Sequence, residues 1–173
     1  MLVQAGAVLG GLMLTSAVAL AGLKGADHEG AEHSSTMHKE TLLRVTGRIA
    51  GDTAALDREA LHALPPVELV TSTVVTDGRH TFTGFLMRDL LERLDAEGSL
   101  VTAVALNDYA VDIPMADFYD FDVIVAYRMD GAAMSRDDKG PLWIVYPRDD
   151  HEALQDIRYD YRWVWQLYQL DIR

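Results

Sequence analysis

The chain has no cysteine among its 173 residues, so it has no thiolate to serve as a nucleophile or soft metal ligand, and no disulfide to staple it. Basic residues are scarce: 15 Lys and Arg stand against 27 Asp and Glu, a formal net charge of −12. A phosphate backbone needs clustered cations to displace its counterions, so this balance argues against nucleic acid as a partner. The histidines His62, His80 and His151 are scattered, with no His-x-x-x-His spacing to set up zinc. Ser72, Ser99 and Ser135 lack the sharp strand-to-helix turn of a nucleophilic serine. What remains is an acidic chain, 49% apolar, long enough for one domain with a single core and too short for two. A small molecule or a protein is the expected partner.

The N-terminus bears on compartment. Ala5 to Leu23, "AGAVLGGLMLTSAVALAGL", carries no charge, and Ala19-Leu20-Ala21 has the small-x-small form of a signal-peptidase site. Export to the periplasm is the expectation, with residues 1–23 either a cleaved signal peptide or a retained anchor; "MLVQ" offers no Lys or Arg to an n-region. Residues 24–40, "KGADHEGAEHSSTMHKE", contain His28, His33 and His38 but no periodic apolar residue to bury. This stretch reads as a disordered tether. Imidazoles in such a tract can gather a metal, but nothing there would hold a coordination geometry.

From residue 41 to 173 the pattern is that of one compact domain. "LLRVTGRI" alternates as a strand does, and "DREALHAL" reads as a short helix opened by Asp57 and stopped by Pro65 and Pro66. "VELVTSTVV" is a strand, Asp77-Gly78 a turn, and Phe82-Thr83-Gly84 leads into "LMRDLLERL", whose Leu86, Met87, Leu90, Leu91 and Leu94 share one helical face. "SLVTAVAL", "AVDIP", "DVIVAYRM", "LWIVYP" and "RWVWQLYQLDI" follow as further strands. About seven strands with two or three short helices predict an α+β fold with mixed sheets.

The order "LPPVELVTSTVVTDGRHTFTGFLMRDLLERL", "ALNDYAVDIP", "VIVAYRMDGAAMSRDDKGPLWIVYP", "RWVWQLYQLDI" resembles the molybdopterin-binding domain of the sulfite oxidase family. It is most similar to the short, exported, single-domain branch, and the resemblance runs from about Val45 to the C-terminus. The most specific pieces are "TGFLMRDLLERL" and the hairpin carrying Tyr127, Gly131, Pro141-Leu142 and Val145-Tyr146-Pro147. In the enzymes of that family a cysteine thiolate on the strand before the helix ligates molybdenum; here Thr71 stands at about that place, with Thr73 beyond it. A threonine hydroxyl cannot replace a thiolate, so molybdenum is not expected. The enzymes also carry a further dimerisation domain and favour several Arg and Lys for the cofactor's phosphate.

The resemblance therefore implies a pocket for a flat, polar heterocycle: a pterin, neopterin-like or related, bound without metal. Such a ring asks for a carboxylate or carbonyl facing its N–H donors, a donor facing its oxygen, and an aromatic wall. Charge-assisted hydrogen bonds of roughly 1.5–3 kcal/mol each, with stacking, suffice for a micromolar site. The ligand-binding candidates are Thr71, Thr73, Asn107, Asp108, Tyr109, Arg128, Lys139, Gly140 and Trp143. Each has a plainer reading. Asn107-Asp108 reads equally as an Asx-turn, Tyr109 and Trp143 as core, and Lys139 beside Asp137 and Asp138 as an exposed ion pair. Arg128, ending an apolar strand, asks for a carboxylate or ligand oxygen, and Asp130 is the nearest carboxylate in sequence. The role implied is a periplasmic pterin sensor feeding an inner-membrane cyclic-di-GMP enzyme, and so biofilm signalling. Two alternatives stay open: a molybdopterin-dependent oxidoreductase, and a protein-interaction domain with a vestigial pocket, for which the acidic, aromatic "YPRDDHEALQDIRYDYRWVW" offers a surface.

Overall fold

The computed structural model describes residues 40–173; the signal or anchor expected at 1–23 and, Glu40 apart, the tether expected at 24–40 lie outside the described residues. The domain opens with the hairpin β1 (Thr41–Gly47) and β2 (Thr53–Asp57). Helix α1 (Arg58–His62) starts at once, because the Asp57 carboxylate accepts the Ala60 N–H at 2.8 Å. That cap is worth about 1 kcal/mol, and the Pro65-Pro66 pair ends the run as the sequence predicts. Strands β3 (Val67–Ser72) and β4 (Arg79–Leu86) form a second hairpin around the expected Asp77-Gly78 turn. β4 passes directly into α2 (Met87–Arg93), which buries Met87, Leu90 and Leu91. There follow β5 (Leu100–Ala105), β6 (Ala110–Pro114), α3 (Asp117–Asp120), β7 (Ile124–Met129), β8 (Ala132–Ala133) and β9 (Trp143–Val145). A 3-10 turn at Glu152–Gln155, α4 (Ile157–Asp160) and β10 (Leu167–Ile172) complete the domain.

The strands form two sheets, and the α+β class stands. One sheet runs β2-β1-β10-β5-β6, with β1 and β10 parallel and its other pairs antiparallel. The other runs β3-β4-β7-β8, with β9 also paired to β7. Ten strands stand among the described residues where about seven were expected. The additional ones are β2, β4 and β8; β2 and β8 are too short to show a period, and β4 leads straight into α2. Both sheets feed one buried cluster, with Leu43, Val101 and Leu170 from the first and Phe82, Phe85 and Ile144 from the second.

The last expected strand needs correction. Of residues 162–172 only Leu167–Ile172 is strand. The chain turns at Gln166, whose φ of 52 lies in the left-handed region. Before that turn it runs beside β9, the Ile144 N–H donating to the Val164 carbonyl at 2.9 Å, and just after it the Leu167 N–H donates to the Leu142 carbonyl at 2.9 Å. The segment before β10 therefore bridges the two sheets.

Candidate functional site

Where that bridging segment passes the β5–β6 turn, a cavity of about 240 Å³ opens. Val75, Ala105, Asn107 and Tyr109 line one side; Asp160, Tyr161, Trp163 and Trp165 line the other. The β5–β6 turn is built by Asn107, whose Oδ1 accepts the Tyr109 N–H at 3.1 Å, and by Asp108 at a φ of 64. Asn107 is thus both the Asx-turn residue and part of the wall. The two sides are joined by the Tyr109 hydroxyl, which donates to the Tyr161 carbonyl at 2.7 Å. Burial first, and then Tyr161, push the Tyr109 hydroxyl's pKa up, so at neutral pH it remains a donor.

The far wall is fixed from behind. The Arg162 guanidinium bonds the Asp117 carboxylate, which also accepts the Tyr146 hydroxyl at 2.9 Å. Both ionic side chains are largely buried, at 14% and 9% exposure, so neither could lose the other cheaply. Burial, then Asp117, raise the Tyr146 pKa far above its usual value, which keeps that phenol protonated. Arg162 also lies 4.6 Å from the Tyr159 ring centroid. Trp143 is fully buried and meets Trp163 edge-on at 6.5 Å and Phe82 at 5.3 Å. Trp143 is core, and it touches the cavity only through Trp163.

Two polar atoms in the cavity wall are orphaned. Asp160 Oδ1 and Trp163 Nε1 are buried without a hydrogen-bond partner. Leaving such groups unpaired costs roughly 1–3 kcal/mol each. Both atoms belong to residues that line the cavity but are themselves closed to it, so a flat heterocycle held among the four aromatic residues would meet them only once the Asp160 and Trp163 side chains turn inward.

The other sequence candidates stand elsewhere. Thr71 is 1% exposed; its hydroxyl donates to the Ser72 carbonyl at 3.2 Å and accepts the Asp149 N–H at 3.3 Å. The Thr73 hydroxyl shares a hydrogen bond of 2.7 Å with Thr76 and accepts the Val75 N–H at 3.1 Å. Thr73 thereby shapes the loop that brings Val75 to the cavity without lining it. Asp108 is exposed on the turn. Arg128 is exposed, and its side chain makes no hydrogen bond or ion pair among the described residues, its backbone being paired within β7. Asp130 does not face Arg128: it takes the His80 Nδ1 at 2.7 Å and the Thr81 N–H at 3.0 Å. Arg128 lies instead toward His62, whose pKa is lowered by burial, by Arg58 and by Arg128. Lys139 pairs with Asp138 at 2.8 Å. Gly140 is buried against Met134, whose carbonyl oxygen would lie 2.1 Å from an added Cβ.

Of the nine candidates, the structure brings Asn107 and Tyr109 to the cavity. Sequence reasoning missed Asp160, Tyr161, Trp163 and Trp165. Their signal was the density of aromatics around one carboxylate in "YDYRWVW", masked by an alternation that mimics a strand. A larger depression of about 430 Å³ is lined by Leu42, Asp57, Arg58, Glu59 and His62. It is more open, and none of the orphaned polar atoms belongs to its lining residues, so the smaller cavity is the better site.

The chain matches the oxidoreductase molybdopterin binding domain over residues 57–149, more than half its length, and it belongs to that family. No curated protein matches it. The whole metal-bearing cofactor does not fit the residues present. The chain has no cysteine, the Thr71 hydroxyl is engaged locally, and no cluster of three or more His, Asp or Glu that could hold a metal exists among the described residues. No Lys or Arg lines the cavity to meet a phosphate.

Proposed function

We propose that this family member binds a pterin without molybdenum. In this reading it is a non-catalytic, periplasmic sensor that passes ligand occupancy to an inner-membrane signalling protein such as a cyclic-di-GMP enzyme. The observation that supports it is an aromatic cavity whose lining residues Asp160 and Trp163 hold a buried, unpaired carboxylate oxygen and indole N–H, in a chain with no cysteine. With their side chains turned inward, Asp160 would take the amino group and ring N–H of the pterin and Trp163 Nε1 would donate to an acceptor on the ring, while Tyr109, Tyr161 and Trp165 would wall it. Export and the signalling partner rest on the N-terminal segment and on the resemblance to the short exported branch.

The test is to purify the full-length chain from an export-competent host, denature it, and assay the supernatant for fluorescent pterin and for molybdenum. Pterin without metal is the expected result. Pterin with stoichiometric molybdenum would move the protein to the oxidoreductases. Absence of both, with no binding of added 6-hydroxymethylpterin, would leave an interaction domain.

A further inference from the structure

We infer that the cavity selects its ligand by charge, taking an unphosphorylated pterin and rejecting the phosphorylated, metal-bearing form typical of the family. This rests on the reading of the cavity as a pterin site and names the ligand class more closely.

The lining carries one charged residue, Asp160, and it is acidic. Asp108 lies between the lining residues Asn107 and Tyr109, and Asp77 lies two positions beyond Val75, so the chain around the cavity adds negative charge. The cations nearest in sequence are committed elsewhere. Arg162 is bonded to Asp117, Arg158 to Asp156 at 2.9 Å, and Arg79 to Asp149 at 2.9 Å and to the Val70 carbonyl at 3.0 Å. A phosphate monoester brings close to two negative charges at neutral pH. Placing it near a carboxylate with no cation in the lining combines like-charge repulsion with uncompensated desolvation. The N–H edge of a neutral ring, by contrast, meets the same carboxylate as a donor meets an acceptor. Size agrees: about 240 Å³ falls below the roughly 300–1,000 Å³ that houses drug-sized ligands. The selectivity is therefore built from a repulsive element as well as an attractive one.

The experiment is a fluorescence titration of the full-length chain, following its tryptophans, with 6-hydroxymethylpterin and with its phosphate monoester. The unphosphorylated compound is expected to bind at least about tenfold more tightly, with the gap narrowing as salt rises. Val75→Arg, at a 40% exposed position on the cavity, is expected to shift the ratio of the two affinities toward the phosphorylated ligand. Asp160→Asn is expected to shrink the ratio between the two ligands. If wild type binds both ligands equally, or the phosphate more tightly, the charge selection is overturned and the pterin site survives. If it binds neither, the pterin reading falls and takes the selection with it.

Discussion

Asp149 shows how a single residue replaces what the metal centre would have required of this region. Its carboxylate accepts the Ser72 hydroxyl at 2.6 Å and the Ser72 N–H at 2.9 Å, and meets Arg79 at 2.9 Å, while its own N–H reaches Thr71. The stretch that carries a thiolate in the enzymes is here closed by local hydrogen bonds. The Ser72 hydroxyl, against the opposing effect of burial, and then the Ser72 N–H and Arg79 hold the Asp149 carboxyl below its ordinary 3.8. A carboxylate with a depressed folded pKa stabilises the fold above its unfolded value, and that contribution is lost as pH falls through the folded one. Asp149→Asn should therefore cost about 0.5–1.5 kcal/mol at pH 7, the shift being screened by solvent at this exposed residue. The difference from wild type should shrink on acidification below about pH 4, as read by urea unfolding at the two pH values. Such residue-scale partners are the least legible in sequence. Asp130 stands two positions from Arg128, yet it serves His80, because the β7–β8 turn points its carboxylate across to β4.

At the scale of elements, the sequence was most legible where local chemistry decides the structure. Asp57 and Pro65 bound α1, the apolar face of α2 is the buried one, and Asn107 makes the turn between β5 and β6. Gly84, in the family-like "TGFLMRDLLERL" step, has a physical reason to be glycine. A Cβ there would lie 2.2 Å from the Val125 carbonyl oxygen, where β4 slips register against β7. Gly84→Ala should destabilise by roughly 1–3 kcal/mol, lowering the denaturation midpoint without changing the slope of the unfolding curve. What sequence could not supply was the segment from α4 to β10. Its two buried or half-buried indoles alternate as a strand's side chains would, but its backbone bonds β9 and then turns at Gln166. Only the tertiary path shows that Asp160, Tyr161, Trp163 and Trp165 face the β5–β6 turn.

At the scale of the whole molecule, the family match and the folding unit differ. Residues 57–149 leave out β1, β10 and all but the last residue of β2, so one sheet keeps only β5 and β6. They also leave out Asp160 to Trp165, half of the cavity wall. A fragment of residues 57–149 should show no cooperative unfolding by circular dichroism and no pterin-dependent quenching, whereas the full-length chain should show cooperative unfolding. The parallel pairing of β1 with β10 has one more consequence. Thr46 Oγ1 donates to Asp171 Oδ1 at 2.7 Å, 125 positions along the chain, so the middle of that sheet joins the first strand of the domain to the last. Contacts this distant close late. A nascent chain of this topology cannot complete that sheet until β10 is delivered, and until then its unpaired strand edges are open to pairing with other chains.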